Sequence, residues 1–528
     1  MSLAQLTKMV GTAQSIRVDI PYVADPLLAF EAIDSQHSLL LESAEIDSKA
    51  NLKSILLIDA AVRIECNANC VHVVAITPNG IPIIDFIQSR LSNFVERVNQ
   101  QSVDLLFPTQ SAELDEDTRL QQASVFDVLR TLQSELETIG DDPHRLFLGG
   151  VFAYDLLETF ENLPAVPAGN NDCPEYVFYL AQSILVVDHQ ARSSHLLATV
   201  FSGADVAEQY FALSQRLEQL TQQLANLPKA LRAAKKESNL EISCNMSDQQ
   251  YCEHVSALKE HILDGDIFQV VPSRTFSLAC PSPIAAYAKL KVQNPSPYMF
   301  FLRDPDFCMF GASPESALKY TQASNMVEVY PIAGTRPRGK NMDGSINPDL
   351  DSRLELSLRQ DEKEKAEHIM LVDLARNDLA RVCQPGTRHV SNLLQVDRYS
   401  HVMHLVSRVV GQLRLDLDAL HAYQACMNMG TLVGAPKVSA AKLIREVEQS
   451  KRGSYGGAVG YLNANGDMDT CIVIRSAFVK NGLAHVQAGA GVVHDSVAQS
   501  EADETRAKAF AVLRAIETAH QPESERAK

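Results

Sequence analysis

Short apolar strands recur along this chain too often for a strand–helix–strand alternation to hold them. Ser54–Asp59 (SILLID) and Val71–Thr77 (VHVVAIT) open the series, and YMFFL from Tyr298 and FCMFGAS from Phe307 continue it. GGAVGYL, CIVIRSAFV and LAHVQAGAGVV close it, with Gly, Asn or Pro punctuating the runs. So many strands call for one large mixed or antiparallel sheet core with helices outside, an α/β (α+β) fold. Helical spacing is confined to stretches near 122–139, 204–236, 248–265, 352–382, 417–428 and 497–518, and 147–164 reads as a strand entering a helix. A length of 528 residues allows two or more domains. The Gln-, Leu-, Ala- and Lys-rich stretch 204–236 ends in a candidate linker, dividing an N-terminal unit (1–230) from a second (240–520). No internal repeat or low-complexity segment interrupts either.

Charge excludes some partners. Lys plus Arg number 47 against 65 Asp plus Glu, a formal net charge of −18 that repels nucleic acid and anionic membrane, so an anionic substrate needs a local basic pocket. No apolar run approaches the roughly 20 residues of a membrane span, and the start, MSLAQLTKMVGTAQS, lacks an apolar signal core. A cytoplasmic protein is expected. Ten cysteines lie singly, and the spacing of Cys66 and Cys70 suits neither a zinc ribbon nor a redox pair, so reduced thiols are expected. The chain has 19 Phe and 14 Tyr but no Trp.

The densest chemistry is PIAGTRPRG, Pro331 to Gly339, at the end of the alternating strand MVEVYPIA. Pro331 and Pro337 restrict the backbone and Gly334 permits close approach to a ligand. Thr335, Arg336 and Arg338 supply donors, so the stretch reads as a rigid anion-holding loop. An exposed basic turn has the same composition. Two helices each carry an E-x-x-E pair, Glu364 with Glu367 and Glu501 with Glu504, and residues three apart share a helix face. Four such carboxylates suit a hard cation such as Mg²⁺. Salt bridges to Lys365, Arg376 or Lys508 are the competing reading, and the same spacing recurs at Glu42/Glu45 and Glu158/Glu161. Gly489 and Gly491 in QAGAGVV offer backbone N–H groups, and Tyr455 follows Arg452 in RGSYGG. Arg475 interrupts the apolar strand CIVIRS, where burial calls for an anion and an edge position calls for nothing. His401 and His404 share a face if SHVMHLV is helical; either is a structural histidine or a proton carrier. GTRPRGKN fails as a phosphate loop, because Asn341 stands where Ser or Thr must bind Mg²⁺ and no helix follows. GAGVVH lacks the third glycine of a dinucleotide fingerprint, and no G-x-S-x-G or G-x-C-x-G nucleophile occurs.

Together GDIFQVVPSR, FGASPES, PIAGTRPRG, AEHIMLVDLARND, GTLVGAPK, GSYGGAVGY, IVIRS, QAGAGVV and SEADET, in this order from about Gly265 to Thr505, resemble the chorismate-utilising enzymes. The resemblance is to the anthranilate synthase component I family in particular, and LLLES and FAYDLLETFE extend it into the N-terminal half. It implies an antiparallel β-sandwich core with outer helices. By the same resemblance, Gly334, Thr335, Tyr455, Arg475, Gly489, Ala490 and Gly491 bind chorismate. Glu367 and Glu504, with Glu364 and Glu501 beside them, hold Mg²⁺, and His404, Glu315 and Thr335 move protons. Related synthases that activate water place a lysine where Gln269 stands, and aminodeoxychorismate synthases, the alternative reading, commonly carry a lysine where Ala333 stands. With neither lysine, ammonia from a separate glutamine amidotransferase subunit is the implied nucleophile, and a heterotetramer the implied assembly. LLLES further implies a tryptophan feedback site in the N-terminal domain, comprising Glu42, Ser43, Lys53, Pro297, Tyr298, Met299, Val459 and Tyr461. A chain without Trp fits an enzyme made when tryptophan is scarce.

Overall fold

The protein is described from a computed structural model covering residues 6–7, 10–43, 52–109, 114–237, 240–399 and 402–521. Its strands form one sheet of 23 members plus a two-stranded ribbon, Gln269–Val270 with Gly434–Ala435. Among the described residues the pairings are antiparallel except that Thr12–Gln14 runs parallel to Glu137–Ile139. The antiparallel sheet core with helices outside is therefore present. Strands from the two halves pair directly: Ser38–Glu42 lies beside Tyr298–Arg303, and Phe147–Phe152 beside Ala458–Asn463. Apolar clusters cement these contacts, and one joins Leu39 and Leu57 to Phe300, Val459 and Phe478. Each such side chain contributes about 1.5–3 kcal/mol when fully buried.

Helices arise where capping and spacing agree. Asp248–Asp264 begins with a reciprocal Ser247/Gln250 capping box and ends at Gly265, whose φ of 86° is left-handed. Ala498–His520 buries Val512, Ala515 and Ile516 in the cluster that holds Tyr287 and Leu290.

Several sequence expectations change. The single helix of 352–382 is two, Pro348–Gln360 and Glu362–Ala380. Asp361 ends the first and caps the second, accepting from Glu364 N. The helix of 122–139 shrinks to Asp127–Ser134, because the next residues join the sheet, and the strand Phe147–Phe152 enters only a short 3₁₀ turn, Tyr154–Thr159. SHVMHLV is not helical: His404 belongs to the strand Val402–Gln412, and His401 lies outside the described residues. The anion loop is a strand as well, Ile332–Pro337, paired with Val402–Gln412. Pro331 and Pro337 stand at its two ends, where proline is tolerated.

Candidate active site

The strand Ile332–Pro337 slips register against Val402–Gln412 between Ala333 and Thr335. Gly334 occupies that bulge at φ 84°, and a Cβ there would meet Glu364 Oε2 at 3.2 Å and Leu405 Cδ1 at 3.2 Å. Glycine is required for both reasons. The slip sets Thr335 opposite His404, with Oγ1 and Nδ1 2.9 Å apart. Burial, helped by the nearby Arg475 charge, pushes the His404 imidazole down to about 4, so it is neutral at physiological pH.

The arginines of this stretch are already engaged. Arg336 donates to Asp361 at 2.7 Å and Glu364 at 2.9 Å, and Arg338 donates to Asp351 at 2.9 Å and to the Tyr399 carbonyl at 2.6 Å. They fasten the strand to the helix pair. The anion donors expected of PIAGTRPRG are thereby reduced to its backbone and Thr335.

Helix Glu362–Ala380 carries Glu364 and Glu367, and helix Ala498–His520 carries Glu501 and Glu504. Burial lifts the Glu367 carboxyl above its ordinary value, and the negative charges of Glu364 and Glu504 add to the shift. Burial also lifts Glu501. At Glu504 burial acts the same way but is outweighed by Lys508, whose Nζ lies 2.7 Å away, with Arg475 behind it, so this carboxyl is lowered. The salt-bridge reading thus holds at Glu504 through Lys508 and at Glu364 through Arg336, whereas Arg376 pairs with Asp373. Among the described residues no three His, Cys, Asp or Glu side chains close on one point. The donor chemistry nevertheless fits a hard cation: the carboxylates raise one another's charge cost across the two helices, and beside them Gln269 donates from Nε2 to Glu367 at 3.1 Å while its buried Oε1 has no partner among the described residues. Gly491 passes so close that a Cβ would stand 2.7 Å from Gln269 Nε2 and 3.4 Å from Glu367 Oε1.

Arg475 is not inside a strand. It lies between Met468–Ile472 and Ser476–Lys480 with a left-handed φ of 51°, and its carbonyl accepts from Ala312 N at 3.1 Å. Burial lowers its affinity for a proton, while Tyr455, Glu504 and Glu315 lie within electrostatic reach. Such a guanidinium suits an incoming anion. Tyr455 is buried, and burial pushes its hydroxyl up to about 12; a Cβ on Gly489 would lie 3.2 Å from its Oη. Ala490 N donates to the Pro272 carbonyl at 3.2 Å, which holds the QAGAG turn in place. Arg452 is structural, because it donates to the Leu432 and Val271 carbonyls and pairs with Glu448. Glu315 precedes the strand Ser316–Thr321 and accepts from Thr431 Oγ1 at 3.1 Å. Burial pushes its carboxyl up to about 8, only partly opposed by that hydrogen bond and by Lys508 and Arg475. It is protonated at neutral pH.

A separate cavity of about 560 Å³ is lined by Glu42, Ser43, Lys53, Tyr298, Met299, Val459 and Tyr461, which the sequence scatters over some 420 positions. Pro297 does not line it, whereas His144, Lys319 and Asp469 do. Glu42 is committed within the fold, accepting from Tyr287 Oη at 2.8 Å and Lys291 Nζ at 2.6 Å. Sequence reasoning also passed over His368 and Thr431. His368 follows Glu367 in AEHIM, and only its neighbour's carboxylate pattern pointed there.

A family model described as chorismate binding enzyme matches residues 93–514. A Vibrio cholerae protein named anthranilate synthase component 1 is 56% identical over 524 residues, covering 99% of each chain. The Escherichia coli protein of the same name is 54% identical over 512 residues, covering 96% of this chain and 98% of that one. The crystal structure of anthranilate synthase component I from Streptococcus pneumoniae superposes with a TM-score of 0.68 at 29% identity, covering 94% of this chain and 99% of that one. The menaquinone-specific isochorismate synthase of Escherichia coli shares the fold, at a TM-score of 0.66 and 18% identity, covering 97% of each chain. The chain therefore belongs to the chorismate binding enzyme family and, within it, to the anthranilate synthase component 1 group.

Proposed function

We propose that this chain converts chorismate and ammonia to anthranilate, pyruvate and water in a Mg²⁺-dependent reaction. The observation that carries the reading is the meeting of a neutral histidine, a protonated glutamate, a buried arginine and a set of carboxylates around one glycine bulge. Arg475, Tyr455, the Gly334–Thr335 backbone and the Gly489–Gly491 turn hold the two carboxylates of the substrate. Mg²⁺ bound by Glu367 and Glu504, with Glu364 and Glu501 beside them, would neutralise the ring carboxylate as the hydroxyl departs. Ammonia adds at C2 of the ring as Glu315, still protonated at neutral pH, gives its proton to the leaving hydroxyl, which departs as water, and the proton shed by the new C2 ammonium restores the acid. His404, neutral and hydrogen-bonded to Thr335, then takes the C2 proton, the electron pair of that bond completes the aromatic ring as the enolpyruvyl C–O bond breaks, and the proton passes to the departing methylene to give pyruvate. Ala333 offers no amine to attack the ring and Gln269 no base for water, which leaves the site to ammonia.

Ammonia would come from a glutamine amidotransferase subunit, since no nucleophilic cysteine motif for that chemistry is present in this chain. The 560 Å³ cavity has the size and mixed polar lining of a small-molecule site, and tryptophan is its proposed occupant as feedback inhibitor. The test supplies chorismate, Mg²⁺ and ammonium to the chain alone and follows anthranilate fluorescence. A para-amino product would assign the chain to the aminodeoxychorismate branch, and no consumption of chorismate would make it a silent regulatory subunit. Glu504→Gln is expected to stop turnover while leaving tryptophan binding intact.

A further inference from the structure

His368 lies one position beyond Glu367 and is fully buried, at 0% exposure. Its Nδ1 is 3.2 Å from the Ala333 carbonyl and its Nε2 is 2.6 Å from Ser407 Oγ. A carbonyl only accepts, so Nδ1 carries the proton. The ring's Nε2 faces the Ser407 hydroxyl. That hydroxyl is oriented in turn, because its oxygen accepts from Leu394 N at 3.0 Å. Ser407 itself is anchored beside the site, donating its backbone N–H to the Pro331 carbonyl at 3.0 Å.

One imidazole thus joins the helix Glu362–Ala380 and the strands Ile332–Pro337 and Val402–Gln412. The bond it makes to the first strand falls on the peptide between Ala333 and Gly334. A peptide is planar and trans, so holding its oxygen also fixes its N–H, on the opposite side. This matters at a glycine in a register slip, where the backbone has no side chain of its own to define it.

We propose that His368 is a positioning residue for substrate binding: its Nδ1–H sets the Ala333–Gly334 peptide, and hence Gly334 and Thr335, in register with the helix bearing Glu364 and Glu367. The assignment rests on the function proposed above. His368→Asn places an amide donor near the Nδ1 position and His368→Gln places one near Nε2, so only the first keeps the bond to Ala333. Losing that bond is expected to raise the KM for chorismate about tenfold in His368→Gln, with a smaller effect on kcat, while His368→Asn stays within about threefold of wild type. Ser407→Ala, which leaves the ring in place but removes the partner that orients it, is expected to raise KM about threefold. Amide hydrogen exchange across Ile332–Thr335, read without any turnover, should quicken in the Gln variant and not in the Asn variant. Equal losses in the two His368 variants, or unchanged KM and exchange in the Gln variant, would overturn the assignment. A wild-type chain that makes no anthranilate would refute the proposed function instead, and exchange would still decide the role of His368.

Discussion

Glu315 and His404 show how burial, the largest cause of both shifts, can prepare two groups for the opposite tasks proposed for them. The carboxyl is pushed up to about 8 and the imidazole down to about 4, so both are neutral at pH 7 and one has a proton to give where the other has room for one. The signs also predict stability. A carboxyl raised in the folded state contributes stability that is complete below its ordinary value near 4.5 and is lost as pH rises through about 8. Glu315→Gln cannot ionise, so its melting temperature should gain on wild type between those limits and run parallel above them. Thermal unfolding across pH checks this, and parallel curves throughout would show that Glu315 does not carry the shift. For His404 the sign reverses: its contribution is complete above about 6.5 and is lost as pH falls through about 4. At this scale the sequence was legible for residue types but not for their commitments. Arg336 and Arg338 looked like anion donors, yet Asp361, Glu364 and Asp351, 13 to 28 positions away, claim them. Glu42 is claimed likewise by Tyr287 and Lys291, some 245 positions distant. Periodicity cannot show such partners.

The most informative element is the break at Asp361. Its carboxylate accepts from Glu364 N at 3.1 Å, starting the helix that carries the first E-x-x-E pair, and accepts from Arg336 at 2.7 Å, tying that start to the glycine bulge. Asp361→Ala should cost about 1 kcal/mol through the lost cap and lower the affinity for Mg²⁺, whereas Asp361→Asn, which still caps, should keep most of the stability. Denaturant unfolding and a Mg²⁺ titration of activity separate the two effects; equal stability in both variants would deny the cap its role. The break was invisible in the apolar spacing of 352–382 because Asp361 interrupts the hydrogen bonding without interrupting the pattern. His404 was hidden differently. SHVMHLV suits a helix locally, but two flanking strands offer Val402–Gln412 a complete ladder, and tertiary pairing wins. Asp248–Asp264, with its own caps, and Ala498–His520, with its long run of helical spacing, were legible nearly to the residue.

Across the whole molecule, common strands link the proposed inhibitor cavity to residues proposed for catalysis and substrate binding. Met468–Ile472 pairs with Ala458–Asn463 on one side and, across a register shift between Ser316 and Leu318, with Ser316–Thr321 on the other, and each contributes residues to the cavity wall. Tryptophan bound there should stabilise the protein by about 2.7 kcal/mol at a hundred times its Kd, seen as a rise in melting temperature alongside loss of activity. Ser43→Phe should abolish both responses while leaving uninhibited turnover close to wild type. A variant still protected by tryptophan would place the inhibitor elsewhere. The absence of Trp from the chain lets the ligand's own fluorescence report its binding.

Those same strands have their other ends in the chemistry. Glu315 immediately precedes the first, Tyr455 lies just before the second and Arg475 just after the third, and Ile472 N donates to the Glu315 carbonyl at 3.0 Å. The cavity is consequently no detachable module. No truncation can cut it away and leave a competent enzyme, because the segments that wall it also deliver the arginine and tyrosine proposed to hold the substrate and the glutamate proposed to give its proton. On the proposed feedback role, an unregulated form must be made by changing side chains at the cavity, one position at a time, and not by trimming the chain.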